Sequence, residues 1–154
     1  MFAWNTRKST TLSIVATVMA IVGAAGAACG LPFLPLVHQD GPVRVDPDWF
    51  AKALPAMYLC LAAGVAALIT LLIVLLAIRR GEVYTPANVA RLRAISWCGV
   101  AIAVICLVAG FWTGALIAWV AIGLIAAFMA LIMRIIKNVI DTARVLKEDA
   151  DYTI

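Results

Sequence analysis

The chain has 154 residues, 66% of them hydrophobic and 13% charged, with a mean hydropathy of +1.08. That much apolar surface excludes a soluble core and indicates a single integral membrane domain over 1–154. The net charge of +4 and pI near 9.1 fit membrane topology and attraction to anionic membrane lipids, so no direct nucleic-acid binding is expected.

Asp, Glu, Lys, Arg and His are absent from 9–37, 53–78 and 94–133, stretches of 29, 26 and 40 residues. About 20 apolar residues rising ~1.5 Å each cross a hydrocarbon slab ~30 Å thick, so the first two stretches are one span apiece. The third would run roughly 60 Å as one helix and must cross and return. Its break falls in "GFWTGAL", at Gly110, Thr113 and Gly114. The expected fold class is all-α, a four-helix transmembrane bundle with spans near 10–30, 55–78, 94–112 and 115–133. Helices are expected because backbone groups in lipid must be satisfied within their own segment.

With the amino terminus inside, ten of the twelve basic residues collect on the cytoplasmic side and only Arg44 and Lys52 lie outside. The positive-inside rule then makes both termini cytoplasmic. Trp4 and Trp97 fall near the inner interface, and Trp49, Trp112 and Trp119 near the outer one, as aromatic belts.

The first span carries small residues at Ala16, Ala20, Ala24 and Ala28, with Gly26 and Gly30 as a separate GxxxG. Such stripes let helices approach closely, either within the bundle or across a homo-oligomer face. Arg7, Lys8, the apolar run and "GAAGAAC" ending at Cys29 also resemble a cleavable signal. The length of the run, and Gly26 three residues before the cysteine, oppose that reading.

The only sizeable external segment holds Asp46-Pro47, an N-cap and first helical residue that open a short helix with Trp49 and Phe50 in the interface. His38, Asp40, Asp46 and Asp48 are read as a solvated loop rather than a metal or pH-sensing site. No CxxC occurs; Cys29 and Cys60 lie towards the same side, where a disulfide is conceivable, but buried apolar thiols are the default. The spans carry no charge, only hydroxyls such as Ser13, Thr17 and Thr70, which argues against transport of ions or charged substrates. No catalytic, cofactor-binding or metal-ligating pattern is present, so a non-enzymatic protein without cofactors is expected.

Two segments at the cytoplasmic side stand out. In "GEVYTPANVARLR", over 81–93, Thr85 caps a helix started by Pro86, Asn88 takes its third position, and Val89, Leu92 and Ser96 share one side. Arg91 and Arg93 hold the base of this helix at the headgroups. Beyond the fourth span, Ile136, Val139, Ile140, Ala143, Leu146 and Ala150 recur at helical spacing, opposed by Lys137, Asp141, Arg144 and Glu148. The tail 134–154 is therefore an amphipathic cytoplasmic extension whose apolar face lies on headgroups or docks on a protein.

Together these segments resemble the bacterial membrane-protein family catalogued as domain of unknown function 2975. Its loop has the form "G-x-(F/Y)-T-x-x-N-x-x-R-L-R" and its members end near "L-x-E-x-x-D-L-T-I". This chain has Gly81, Tyr84, Thr85, Asn88, Arg91, Leu92 and Arg93, with two residues rather than one between the glycine and the aromatic. The ending has Leu146, Glu148, Asp151, Thr153 and Ile154, with Tyr152 in place of leucine. The resemblance implies a multi-pass protein of the bacterial cytoplasmic (inner) membrane that keeps its first span. It also implies a regulatory partnership with a small helix-turn-helix transcription regulator, which the protein would bind or antagonise. The expected docking surface comprises Tyr84, Thr85, Asn88, Arg91 and Arg93 with Glu148, Asp149, Asp151, Thr153 and Ile154. Its arginines donate hydrogen bonds, its acids pair with a basic DNA-binding partner, and its terminal carboxylate enters a backbone pocket. The alternative is a small transporter or efflux/immunity component for an apolar compound.

Overall fold

A computed structural model describes residues 6–34, 46–81 and 85–152, with side chains over 9–34, 46–81 and 85–146. Helix α1 (Thr6–Gly30) leads into a 3-10 turn (Leu31–Phe33) and is followed by α2 (Pro47–Arg79), α3 (Pro86–Thr113) and α4 (Leu116–Tyr152). The described residues include no strand. All four helices are long and apolar enough to cross a membrane.

Local chemistry sets the ends. Asp46 caps α2 by accepting a hydrogen bond from the Asp48 N–H at 3.1 Å, with Pro47 at the first helical position. The helix it opens does not stop, however. The expected short external helix and the span from residue 55 are one 33-residue helix that runs through Pro55. Proline forfeits one internal hydrogen bond, a loss that membrane helices tolerate when neighbours hold the segment. Here Ala53 is fully buried with Cys106, Ala109 and Trp119, and Trp49 packs on the same cluster. Phe50 is buried as well and Trp49 is half-buried, so both aromatics pack on neighbouring helices. Trp119 also belongs to the core, at 6% exposure, whereas Trp97 and Trp112 are exposed as a belt requires. Trp4 lies outside the described residues, as do His38, Asp40 and Arg44.

The break in the third apolar stretch falls at Gly114, which takes the left-handed conformation at φ 70° and ends α3. Gly110 remains helical and serves contact instead: a Cβ there would meet Leu116 at 3.1 Å. Gly99 is tighter still, with Ala130 Cβ at 2.9 Å and the Ala126 carbonyl at 3.2 Å from the position its own Cβ would take. Gly123 faces Cys106 at 3.2 Å in the same sense. These contacts pair rising numbers on α3 with falling numbers on α4, so the two helices form an antiparallel hairpin. Ser96 Oγ reinforces it by donating to the Ala130 carbonyl at 3.0 Å.

Helix α1 is held differently. Tyr58 on α2 donates to the Ala28 carbonyl at 3.0 Å, and Ala24 and Ala28 are half-buried. Ala16 and Ala20 are exposed, and a Cβ on Gly26 or Gly30 would meet nothing within 4 Å. Only the later half of the small-residue stripe is used within the bundle. The expected midplane hydroxyls are satisfied inside their own helices: Thr17 donates to the Ser13 carbonyl and Thr70 to the Ala66 carbonyl, both at 2.8 Å.

Enlarging Gly99 to Val is expected to push α3 and α4 apart and cost about 1–3 kcal/mol, the usual range for overpacking. The same change at Gly26 is expected to leave the bundle's stability unchanged. Unfolding midpoints of the two variants in detergent measure the difference.

Candidate functional site

The Pro86 end of α3 is built as its sequence suggests. Thr85 is extended, at φ −97° and ψ 145°, and its hydroxyl accepts from the Asn88 N–H at 3.4 Å while Pro86 occupies the first helical position. The Thr85 carbonyl accepts from the N–H groups of Asn88 and Val89 at 3.0 and 3.3 Å. Val89, Leu92 and Ser96 are buried on one side, joined by Ile95.

Asn88 is turned inward, with only 2% of its surface exposed. Arg91 Nη1 donates to its Oδ1 at 2.9 Å, a charge-assisted bond that fixes the guanidinium of a half-buried residue. Thr85 and Asn88 thus serve the helix start, and Arg93 is the exposed basic residue of the segment. The structure brings Thr85, Asn88, Arg91 and Arg93 to one end of the α3–α4 hairpin, the end past which α4 continues. Glu148, Asp149 and Asp151 lie on α4, with side chains outside the described residues. Tyr84, Thr153 and Ile154 lie wholly outside them.

The continuation of α4 has the amphipathic character expected, and part of its apolar stripe is uncovered. Val139 and Leu146 are 63% and 64% exposed, while Lys137, Ile140, Asp141 and Arg144 are half-buried. The helix has 37 residues against 28 in α3, so it outruns its partner by about 13 Å at ~1.5 Å per residue.

Three features escaped sequence reasoning because each joins residues far apart in the chain. Cys60 on α2 and Cys106 on α3 bring their sulfurs within 3.8 Å. This replaces the conceivable Cys29–Cys60 pairing, since Cys29 is exposed on α1. A cleft of about 550 Å³ reaches both thiols and is lined by Trp49, Met57, Leu68 and Trp119 among others. Finally, Arg93, Trp97, Arg134 and Lys137 share one recess. Among the described residues no group of three His, Cys, Asp or Glu side chains is arranged to hold a metal.

Replacing Thr85 with Ala is expected to cost about 1 kcal/mol, the worth of an N-cap. Asn88→Ala is expected to cost more, about 1–3 kcal/mol, because it removes a buried acceptor from a charged donor. Denaturation midpoints in detergent rank the two. Treatment of the full chain with copper–phenanthroline is expected to link Cys60 to Cys106 and not to Cys29, as read by peptide mass mapping.

No curated protein and no solved structure matches the chain. The family described as "Protein of unknown function (DUF2975)" matches residues 39–154, a region that holds α2, α3 and α4 together with both distinctive segments and leaves α1 outside. The chain belongs to that family.

Proposed function

We propose that this is a non-enzymatic regulatory protein of the bacterial inner membrane, with both termini in the cytoplasm, whose cytoplasmic end binds or antagonises a small helix-turn-helix transcription regulator. One observation carries the reading: where α4 passes the start of α3 and runs beyond it, Ile136, Val139 and Leu146 of its apolar stripe are left uncovered. An apolar stripe at i, i+3, i+7 spacing on an otherwise charged helix is the form in which helices dock in partner grooves. Glu148, Asp149 and Asp151 follow it and suit a basic partner better than an anionic headgroup layer. The basic residues at the loops support the orientation. The absence of a catalytic constellation from the sequence supports a binding role.

The cleft beside Cys60 and Cys106 supports a second reading, passage of an apolar compound between the helices. The readings separate on the tail. Removal of residues 146–154 is expected to abolish co-purification of a small DNA-binding protein that the full chain captures through a photoreactive group at Tyr84, a position the truncation leaves in place. An unchanged set of cytoplasmic partners would count against the regulatory reading, and substrate flux that survives the truncation would favour the second.

A further inference from the structure

Arg93 and Trp97 on α3 and Arg134 and Lys137 on α4 line one recess of about 310 Å³, with Ser96 at its inner edge. Among the described residues no carboxylate forms an ion pair with Arg93, Arg134 or Lys137. Three like charges gathered without an acid repel one another, and an anion relieves that repulsion.

Ser96 and Arg134 also line a second recess, a groove of about 430 Å³ between the same two helices. Its walls are apolar: Val100, Val104 and Leu107 on α3 face Val120, Leu124 and Ala127 on α4. From residue 96 to 107 it follows about 16 Å of helix rise, close to the ~15 Å depth of one leaflet. A polar, cationic mouth thus opens into an apolar trough one acyl chain deep. Trp97, 61% exposed, stands at the mouth, where indole favours the headgroup level.

We infer that the α3–α4 hairpin holds one anionic phospholipid, its phosphate among Arg93, Arg134 and Lys137 and an acyl chain in the groove below. The phosphate accepts from guanidinium and ammonium donors, and arginine suits it geometrically. A headgroup that adds its own cation is disfavoured beside three basic side chains. Inorganic phosphate fits the mouth but gains nothing from the groove, so the two sites together select a lipid. This inference does not rest on the partner-binding reading.

The test is native mass spectrometry of the full chain in detergent, titrated with phosphatidylglycerol, phosphatidylcholine or inorganic phosphate. Phosphatidylglycerol is expected to be retained in preference to phosphatidylcholine. Arg93→Gln/Arg134→Gln/Lys137→Gln is expected to weaken it about a hundredfold, in keeping with the attraction of each basic residue to anionic lipid. The charge-preserving Arg93→Lys/Arg134→Lys variant retains most of the binding and guards against a folding artefact. Arg79→Gln/Arg80→Gln removes two basic residues from the last turn and cap of α2 and is expected to leave retention unchanged. Val104→Trp, at an exposed groove position, is expected to weaken binding several-fold with the cations intact. The proposal is overturned by undiminished binding in the triple Gln variant or in Val104→Trp, by equal loss in the Arg79/Arg80 variant, by equal binding of phosphatidylcholine, or by displacement of the lipid with inorganic phosphate.

Discussion

The close approach of α3 to α4 underlies the rest of the arrangement. In lipid no hydrophobic effect drives helices together, so contact depends on small residues that let backbones meet and on hydrogen bonds between helices. Gly99 against Ala126 and Ala130, Gly123 against Cys106, and Gly110 against Leu116 and Trp119 supply the first. Ser96 supplies the second. Because these contacts are spread along the hairpin, they fix its register, and the register places the Pro86 end of α3 beside the outgoing turns of α4. The cationic recess, the apolar groove and the projecting helix all follow from that alignment.

Helices α2 and α1 are added to this hairpin with decreasing intimacy. Ala53 enters the core formed by Cys106, Ala109 and Trp119, which holds the long α2 against α3 even with Pro55 inside it. Helix α1 is attached to α2 near Tyr58 and Ala28, and it lies outside the region matched by the family. Packing and family relationship therefore point to the same three-helix unit as the structural centre of the protein.

Much of the architecture was legible in the sequence because membrane burial writes itself as absence of charge. Four helices, a turn at Gly114, a Thr85 cap and a continued fourth helix all follow from span length, glycine conformation and capping. Pro55 misled, because a proline after an apolar start reads as a helix boundary, and the contacts that hold the helix through it come from α3 and α4. The aromatics misled for a related reason: Trp49 and Trp119 have the composition of a belt, but helix rotation decides whether an indole meets lipid or core. Asn88 shows the same limit at the candidate site. Its type and position suggest a surface contact, yet its amide is enclosed and engaged by Arg91. The pairing of Arg93 with Arg134 and Lys137 was illegible because it depends on how the hairpin closes, not on any local motif.

Helix α4 has no proline, and its single glycine, Gly123, is clamped against α3. Sharp bends in helices arise at proline, at glycine or serine pairs, or at inserted bulges, and the projecting turns contain none of the first two. The helix consequently has no hinge where it leaves the apolar region. It behaves as a rod of about 55 Å, and its free end cannot be re-aimed without tilting the part that is packed on α3.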